Sequence, residues 1–379
     1  MRTSWKMGRV LGIDIFIHAT FVLLLGWVAI TTYLRQRNLP AMATGVLFTV
    51  VIFASVLLHE MGHALTARRF GIKTRDITLL PIGGVARLER MPEKPGQELL
   101  VALAGPAVNV AIALGILAVL LVSGNPLALG EPELGGVGPF FARLLWVNLS
   151  LAIFNLIPAF PMDGGRALRA LLAYGGDYVQ ATRIAAVLGK GIALVFGILG
   201  LLYNPILAFI ALFVWIGASS EAAGVEAKAT LHSFPVQAAM QTDVRVLSTD
   251  NTLGTAARFL LGGAQADFPV ISEEGKLVGV LTRTNLVRGL SESGAEATVG
   301  SAMDRDFVVA HPAEMLDVAV SRLGERTCRS MPIVTDGAGS AIAQGRDVIV
   351  GMLGTDDIGE LLMVREALAR GPGRTLAAT

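Results

Sequence analysis

Residues Val51-Ile-Phe-Ala-Ser-Val-Leu-Leu-His-Glu-Met-Gly-His-Ala64 decide both the solvent of this chain and its chemistry. The apolar run opens at Ala43, so Ala43–Ala64 has the ~20 residues a helix needs to cross a bilayer. At about 100° per residue, His59 and His63 lie about 40° apart on one helical face. Two imidazoles one turn apart can chelate a zinc ion, and Glu60 beside them can act as general base on an attacking water. An ionisable residue inside a span costs roughly 2.5–3.5 kcal/mol on insertion scales, so these groups need partners or a role.

Outward from that span, the apolar character continues on both sides. Of 379 residues 53% are hydrophobic and 16% charged, against about a quarter charged in a soluble domain. The imbalance lies before Gly217, where apolar runs recur; beyond it the chain has soluble character. Candidate spans are His18–Tyr33, Ala43–Ala64, Glu98–Val122, Pro139–Ile157, Ile184–Leu202 and Ile206–Gly217. The basic segment Met1–Arg9 precedes an apolar run with no small-residue cleavage site, which predicts a retained helix. Six spans put both termini on one side. Positive charge gathers at Arg2, Lys6 and Arg9, between Arg68 and Lys94, and at Arg166, Arg169, Arg183 and Lys190. The opposite loops hold Arg35 and Arg37, then Glu131 and Glu133. The asymmetry predicts a multi-pass cell-membrane protein with cytoplasmic N- and C-termini. A net charge of +1 gives no footprint for nucleic acid, and the single Cys328 excludes an intrachain disulfide framework.

A catalytic zinc takes three protein ligands and keeps one position open. The third candidate is Asp163, in Asn155-Leu-Ile-Pro-Ala-Phe-Pro-Met-Asp-Gly-Gly-Arg166. It follows a span that ends on the same side as His59 and His63, so all three can meet at one depth. Pro158 and Pro161 break the helix, and Gly164-Gly165 lets backbone approach closely. Between Arg75 and Arg90, Ile77-Thr-Leu-Leu-Pro-Ile-Gly-Gly-Val-Ala-Arg-Leu predicts two short strands around Gly83-Gly84. Open strand edges persist at membrane depth only against protein or a watery cavity.

The tail repeats internally. Ala239-Met240 recurs as Ala302-Met303, and Phe268-Pro-Val-Ile recurs as Met331-Pro-Ile-Val, each shifted by 63 residues. Gly279-Val-Leu-Thr-Arg-Thr-Asn285 recurs as Gly351-Met-Leu-Gly-Thr-Asp-Asp357, shifted by 72, so nine extra residues lie within Asp336–Asp347. Each copy predicts strand, helix, strand, turn, strand, helix.

His59–His63 followed by Asn-x-x-Pro-x-x-Pro-x-Asp-Gly-Gly resembles the site-2 protease family of intramembrane zinc metalloproteases. Ala104-Gly-Pro-Ala-Val-Asn109 and Gly12–His18 also look like family motifs, and the resemblance covers roughly residues 8–217. The tail resembles a tandem pair of cystathionine-β-synthase (CBS) domains. The implied fold is a polytopic α-helical membrane protein with about six transmembrane helices and a short membrane-associated β-hairpin, plus a cytoplasmic α+β CBS pair. The implied division is 1–219 for the protease domain, 220–234 for a linker, 235–290 and 291–370 for the repeats, and 371–379 for a loose end.

The resemblance implies one Zn2+ held by His59, His63 and Asp163, Glu60 as base, and a membrane-anchored protein substrate within the lipid bilayer. Asn155 either hydrogen-bonds substrate or oxyanion, or caps local backbone. His18 suits helix entry better than ligation. The strands at Gly83 and Gly84 either hold an unwound substrate by β-addition or plug the cavity. The CBS resemblance implies homodimerisation and binding of AMP, ADP or ATP through Gly-x-x-Thr-x-x-Asp. Each copy departs from that pattern once: Thr282 is followed by Asn285, and Gly354 precedes Thr355 and Asp357. A dimerisation module without a ligand fits equally. Two rival classes share parts of the pattern: a CBS-regulated transporter or channel, and an inactive zinc-binding scaffold.

Overall fold

Val10 and Ile13 pair across a two-residue turn, Leu11-Gly12, in which both residues have positive φ, 49° and 89°. That turn suits the twist of a β-hairpin. It joins β1 (Ser4–Val10) to β2 (Ile13–His18) in a computed structural model that describes residues 4–81, 83–89, 92, 94–123, 137–263, 265–324, 328–336 and 347–370. His18 caps the helix that follows, α1 (Ala19–Gln36): its Nδ1 accepts from the Thr20 N–H at 3.3 Å. Asn38 caps α2 (Leu39–Arg69) in the same way, and Pro40 occupies its first turn, where a missing N–H costs nothing.

Beyond α2, β3 (Thr74–Leu80) and β4 (Gly83–Leu88) pair antiparallel, and β2 pairs parallel with β3. The four strands make one sheet in the order β1-β2-β3-β4. Ile13 and Ile77 point from it onto Met61 and Ala64 of α2, so the inner face covers the turn of α2 that holds the two histidines. Five further helices complete this unit: α3 (Pro95–Val122), α4 (Val137–Asn155), α5 (Asp163–Ala173), α6 (Tyr178–Leu202) and α7 (Pro205–His232).

Among the described residues, α1, α2, α3, α6 and α7 are long and apolar enough to cross a membrane. The span expected at Pro139–Ile157 corresponds to α4, which has 19 residues but carries Arg143, Asn148 and Asn155 and is not among the five. Gly62 allows α2 and α3 to meet, since a Cβ there would lie 2.8 Å from the Ala104 carbonyl oxygen. Small residues at such crossings let helices pack where the hydrophobic effect is weak. Glu131 and Glu133, the nine extra residues of the second repeat and residues 371–379 lie outside the described residues or largely so.

The chain divides into two units, Met1–Val225 and Glu226–Thr379. The expected linker, Ser220–Phe234, is helical as far as His232. In the second unit, β5 (Leu247–Ser248), α8 (Leu253–Gly262), β6 (Phe268–Ile271), β7 (Leu277–Leu281) and α9 (Arg283–Ser293) form the first repeat. The short α10 (Val299–Ala302) leads to α11 (Leu316–Gly324), β8 (Ser330–Asp336), β9 (Asp347–Gly354) and α12 (Thr355–Arg370) of the second. The register repeats too: Leu247 pairs parallel with Val270, and Ala310 bridges parallel to Ile333, 63 residues on in both cases.

The repeats interlock. Gln241, just before the first repeat's strands, exchanges two backbone hydrogen bonds with Met352 of the second, at 2.8 and 3.0 Å. Asp304 does the same with Val280 of the first, at 2.8 and 2.9 Å. This accounts for the repeated Ala-Met and Gly. A Cβ at Gly279 would meet Met303 Sδ at 2.7 Å, and one at Gly351 would meet the Gln241 carbonyl oxygen at 2.7 Å.

Candidate metal centre

Three donor atoms from two distant stretches of chain meet inside the membrane unit. His59 Nε2 and His63 Nε2 lie 3.0 Å apart, and Asp163 Oδ2 lies 3.2 and 3.1 Å from them. Among the described residues this is the group of three or more His, Cys, Asp or Glu side chains able to hold a metal ion, and all three members are buried. The histidines come together because α2 places them one turn apart. Asp163 arrives through a tight bend: Cβ atoms at Gly164 and Gly165 would collide with the Leu156 carbonyl and with the Ala159 carbonyl carbon, the latter at 2.6 Å. Glycine at both positions lets the first turn of α5 lie directly on the chain it has just left.

The donor set fits zinc. Bonds of ~2.0–2.1 Å in a tetrahedral site put neighbouring ligand atoms about 3.3 Å apart, close to the separations here. The outer nitrogen of each ring is already engaged: His63 Nδ1 with the Val101 carbonyl at 2.7 Å, and His59 Nδ1 with Asn109 Oδ1 at 2.5 Å. A carbonyl only accepts, so His63 carries its proton at Nδ1, and Nε2 is left for a metal. Space is reserved as well. A Cβ at Gly105 of α3 would lie 2.6 Å from His59 Nε2 and closer still to His63 Nε2.

A carboxylate at Asp163 would give a dication an anionic ligand beside the two imidazoles.

Glu60 stays outside the donor cluster. Its Oε2 accepts from the Ala86 N–H of β4 at 3.3 Å. Gly84 makes room for it, since a Cβ there would sit 2.6 Å from Glu60 Cγ. Gly83, Gly84, Asn155 and Phe213 line the same cleft of about 440 Å³ as Glu60 and the three donors. Asn155 Nδ2 donates to the Leu151 carbonyl at 3.0 Å, a bond within its own helix.

Farther along α5, Arg169 is buried, donating to Glu98 Oε1 at 2.8 Å and to Glu221 Oε1 at 2.6 Å between the rings of Phe160 and Tyr178. The ion pairs tie α5, and with it Asp163, to α3 and α7. By sequence Arg169 counted only as a loop cation. Gly105 and Asn109 stand in the Ala104–Asn109 motif without a role that spacing reveals, and Asn148 stands outside every motif; the visible signal is polar or side-chain-free residues inside apolar runs.

The four residues expected to touch a nucleotide, Thr282, Asn285, Thr355 and Asp357, all line one cavity of about 1120 Å³ in the second unit. Each copy keeps one half of a reciprocal helix cap. Thr282 Oγ1 accepts from the Asn285 N–H at 3.2 Å, and Asp357 Oδ2 accepts from the Gly354 N–H at 2.6 Å. Cys328 lines the cavity too, and burial pushes its thiol pKa up, away from reactivity.

Histidines, carboxylate and a neighbouring glutamate facing one cleft inside a bundle of apolar helices are the equipment of a membrane-embedded metallohydrolase. Comparison with known proteins makes the class specific. The model for peptidase family M50 matches residues 47–131 and 131–198, and that for the CBS domain matches 236–292. A zinc metalloprotease of Methanocaldococcus jannaschii is 35% identical over 319 residues, 84% of this chain and 88% of that one. Rip3 of Mycobacterium tuberculosis is 29% identical over 388 residues, 96% of this chain and 94% of that one. The solved site-2 protease from Methanocaldococcus jannaschii is 39% identical, covering 58% of this chain and 95% of that one at a TM-score of 0.42. The chain belongs to peptidase family M50. It is an integral membrane zinc metalloprotease of the intramembrane kind, carrying CBS-type repeats.

Proposed function

We propose that His59, His63 and Asp163 hold the catalytic zinc and that Glu60 is the general base for hydrolysis of a membrane-anchored protein. The convergence of three donors within 4.8 Å of one another, on a cleft they share with Glu60, carries this reading. When bound, the zinc ion lowers the pKa of a water toward ~7 and polarises the scissile carbonyl. Glu60 takes the attacking water's proton and passes it to the leaving amine. Asn155 reaches the same cleft with Oδ1 available to substrate, while its amide nitrogen holds Leu151. His59→Ala, His63→Ala and Asp163→Ala are each expected to lose zinc and cleavage together, read by metal analysis and by cleavage of a membrane-anchored reporter. Full zinc at normal affinity in Asp163→Ala would remove that residue from the ligand set.

A helical substrate hides its peptide bonds and must be extended before attack. β4 is an edge strand, with a neighbour on one side only, and it borders the cleft. It can take an extended segment by β-addition, with open space beside Gly83 for a side chain, while Gly84 accommodates Glu60.

The basic-loop asymmetry supports a cell-membrane protein with cytoplasmic termini, an arrangement that needs α4 to cross as a sixth span beside the five long apolar helices; Arg169, buried and paired, carries no weight in that count. Reporters fused after Glu131 and after Leu231 are expected on opposite sides; the same side for both would overturn the arrangement.

The CBS pair is proposed to bind an adenine nucleotide. Thr282 and Asp357 line its cavity beside Arg283, Arg288 and Arg329, which supply charge for phosphate. Calorimetry on the purified full-length protein is expected to give saturable binding of AMP, ADP or ATP. No heat from any of the three would leave the pair a structural or dimerisation module. Regulation of cleavage further requires that the nucleotide favour one of two conformations, so binding with unchanged cleavage would exclude that role.

A further inference from the structure

Asn109 ends the Ala104–Asn109 motif, and Asn148 sits in the middle of α4; both are fully buried among apolar helices. Asn109 borders the cleft that holds the donors, and Asn148 lies behind it. Two amides in such surroundings must satisfy one another or a neighbour. Their bonds form a one-way chain. Asn148 Nδ2 donates to the Leu144 carbonyl at 2.9 Å. A backbone carbonyl only accepts, so the amino group of Asn148 must face it and Oδ1 must face the other way. There Oδ1 accepts from Asn109 Nδ2 at 3.0 Å. Asn109 Oδ1 is then turned to His59 Nδ1, which must carry a proton to donate across the 2.5 Å between them.

We propose that Asn148, acting through Asn109, is a positioning residue for the metal centre: the relay from the Leu144 carbonyl fixes the proton of His59 at Nδ1 and so commits Nε2 to the ion. The inference rests on the assignment of His59, His63 and Asp163 as ligands. His63 obtains the same orientation from a single acceptor, the Val101 carbonyl. His59 has no carbonyl at that place, and an amide by itself is ambiguous, because a flip of Asn109 would present NH2 to Nδ1 and select the wrong tautomer. Asn148 removes the ambiguity. Second-layer partners of this kind are worth about 10–100-fold in metal affinity.

The test measures zinc affinity by chelator competition, with the visible spectrum of the Co2+-substituted protein, on the full-length chain in detergent. Asn148→Leu is expected to weaken zinc binding by about 10–100-fold. Asn148→Asp keeps an acceptor toward Asn109 and should stay within a few-fold of the parent. The decisive variant is Asn109→Asp placed on Asn148→Leu. A carboxylate can only accept from His59, so affinity and the Co2+ spectrum should return although α4 remains altered. A purely packing role for Asn148 would not be repaired from position 109. Parent-like affinity in Asn148→Leu, or no recovery in the double variant, overturns the relay. Should Asn148→Leu fail to fold, Asn148→Ala with the same second change decides by the same two criteria. His63→Ala is the control: if it too keeps its zinc, the ligand assignment has failed and the relay falls with it.

Discussion

Gly105→Ala is expected to leave the fold intact and remove the zinc. A single methyl is added to a helix, and alanine favours a helix over glycine by about 1 kcal/mol, so α3 itself is not weakened. The methyl lands among the donors, 2.6 Å from His59 Nε2 and nearer to His63 Nε2. Carbon and nitrogen in ordinary contact are about 3.5 Å apart, so something must yield. The rings cannot swing aside cheaply, because each is held at Nδ1. Nor can α3 back away without losing the contact with α2 that Gly62 permits. The ion's place is what remains to be surrendered. Zinc affinity should fall by about 100-fold, the upper end of what lost support at a metal site costs. Metal analysis after dialysis, with a helical circular-dichroism spectrum matching the parent's, checks it. Stoichiometric zinc at parental affinity would mean that the donors do not converge where Gly105 faces them.

Glu60→Gln separates chemistry from metal binding. The amide matches the carboxylate in shape and can still accept from the Ala86 N–H through its oxygen, so the packing on β4 persists. What it lacks is a basic site. Cleavage is expected to fall by about 10²–10⁴, the usual worth of a positioned general base, with zinc content unchanged. Loss of zinc as well would make Glu60 a ligand. Undiminished cleavage would place the base elsewhere. The two substitutions are complementary: one removes the ion and spares the base, the other the reverse. A scaffold that only stores zinc would give no cleavage to lose.

Repetition in the tail identifies equivalent strands but not their partners. The 63-residue shift locates equivalent strands, and the parallel pairings Leu247–Val270 and Ala310–Ile333 preserve it. The repeated Ala-Met, however, looks like part of its own copy. In three dimensions each methionine packs over the glycine of the other copy, Met303 on Gly279 and Met240 on Gly351. Identity along a chain carries no information on which of two identical partners is used.

The same division runs through the membrane unit. Helical periodicity alone puts His59 and His63 on one face, because residues four apart on a helix are neighbours whatever surrounds them. Composition alone makes α2, α3, α6 and α7 candidates for crossing a bilayer, because hydropathy is a sum over adjacent residues. The glycines after Asp163 announce a close approach, because only backbone without Cβ permits one. These are local properties, and the sequence by itself determined them. In the sequence the N-terminal strands show only a basic flank and a lead into α1. The alternation of Ile13-Asp-Ile-Phe-Ile17 is too short to signal a strand, and its partner β3 is some sixty residues away. The roles of Asn148, Gly105 and Arg169 are illegible in the sequence for the same reason. Each acts on a group brought to it by packing: Asn148 on Asn109, Gly105 on two histidines, Arg169 on Glu98 and Glu221. Which polar group meets which, inside a medium where an unpaired one is costly, was decided only by the tertiary structure, since such pairing depends on distance in space and not on spacing along the chain.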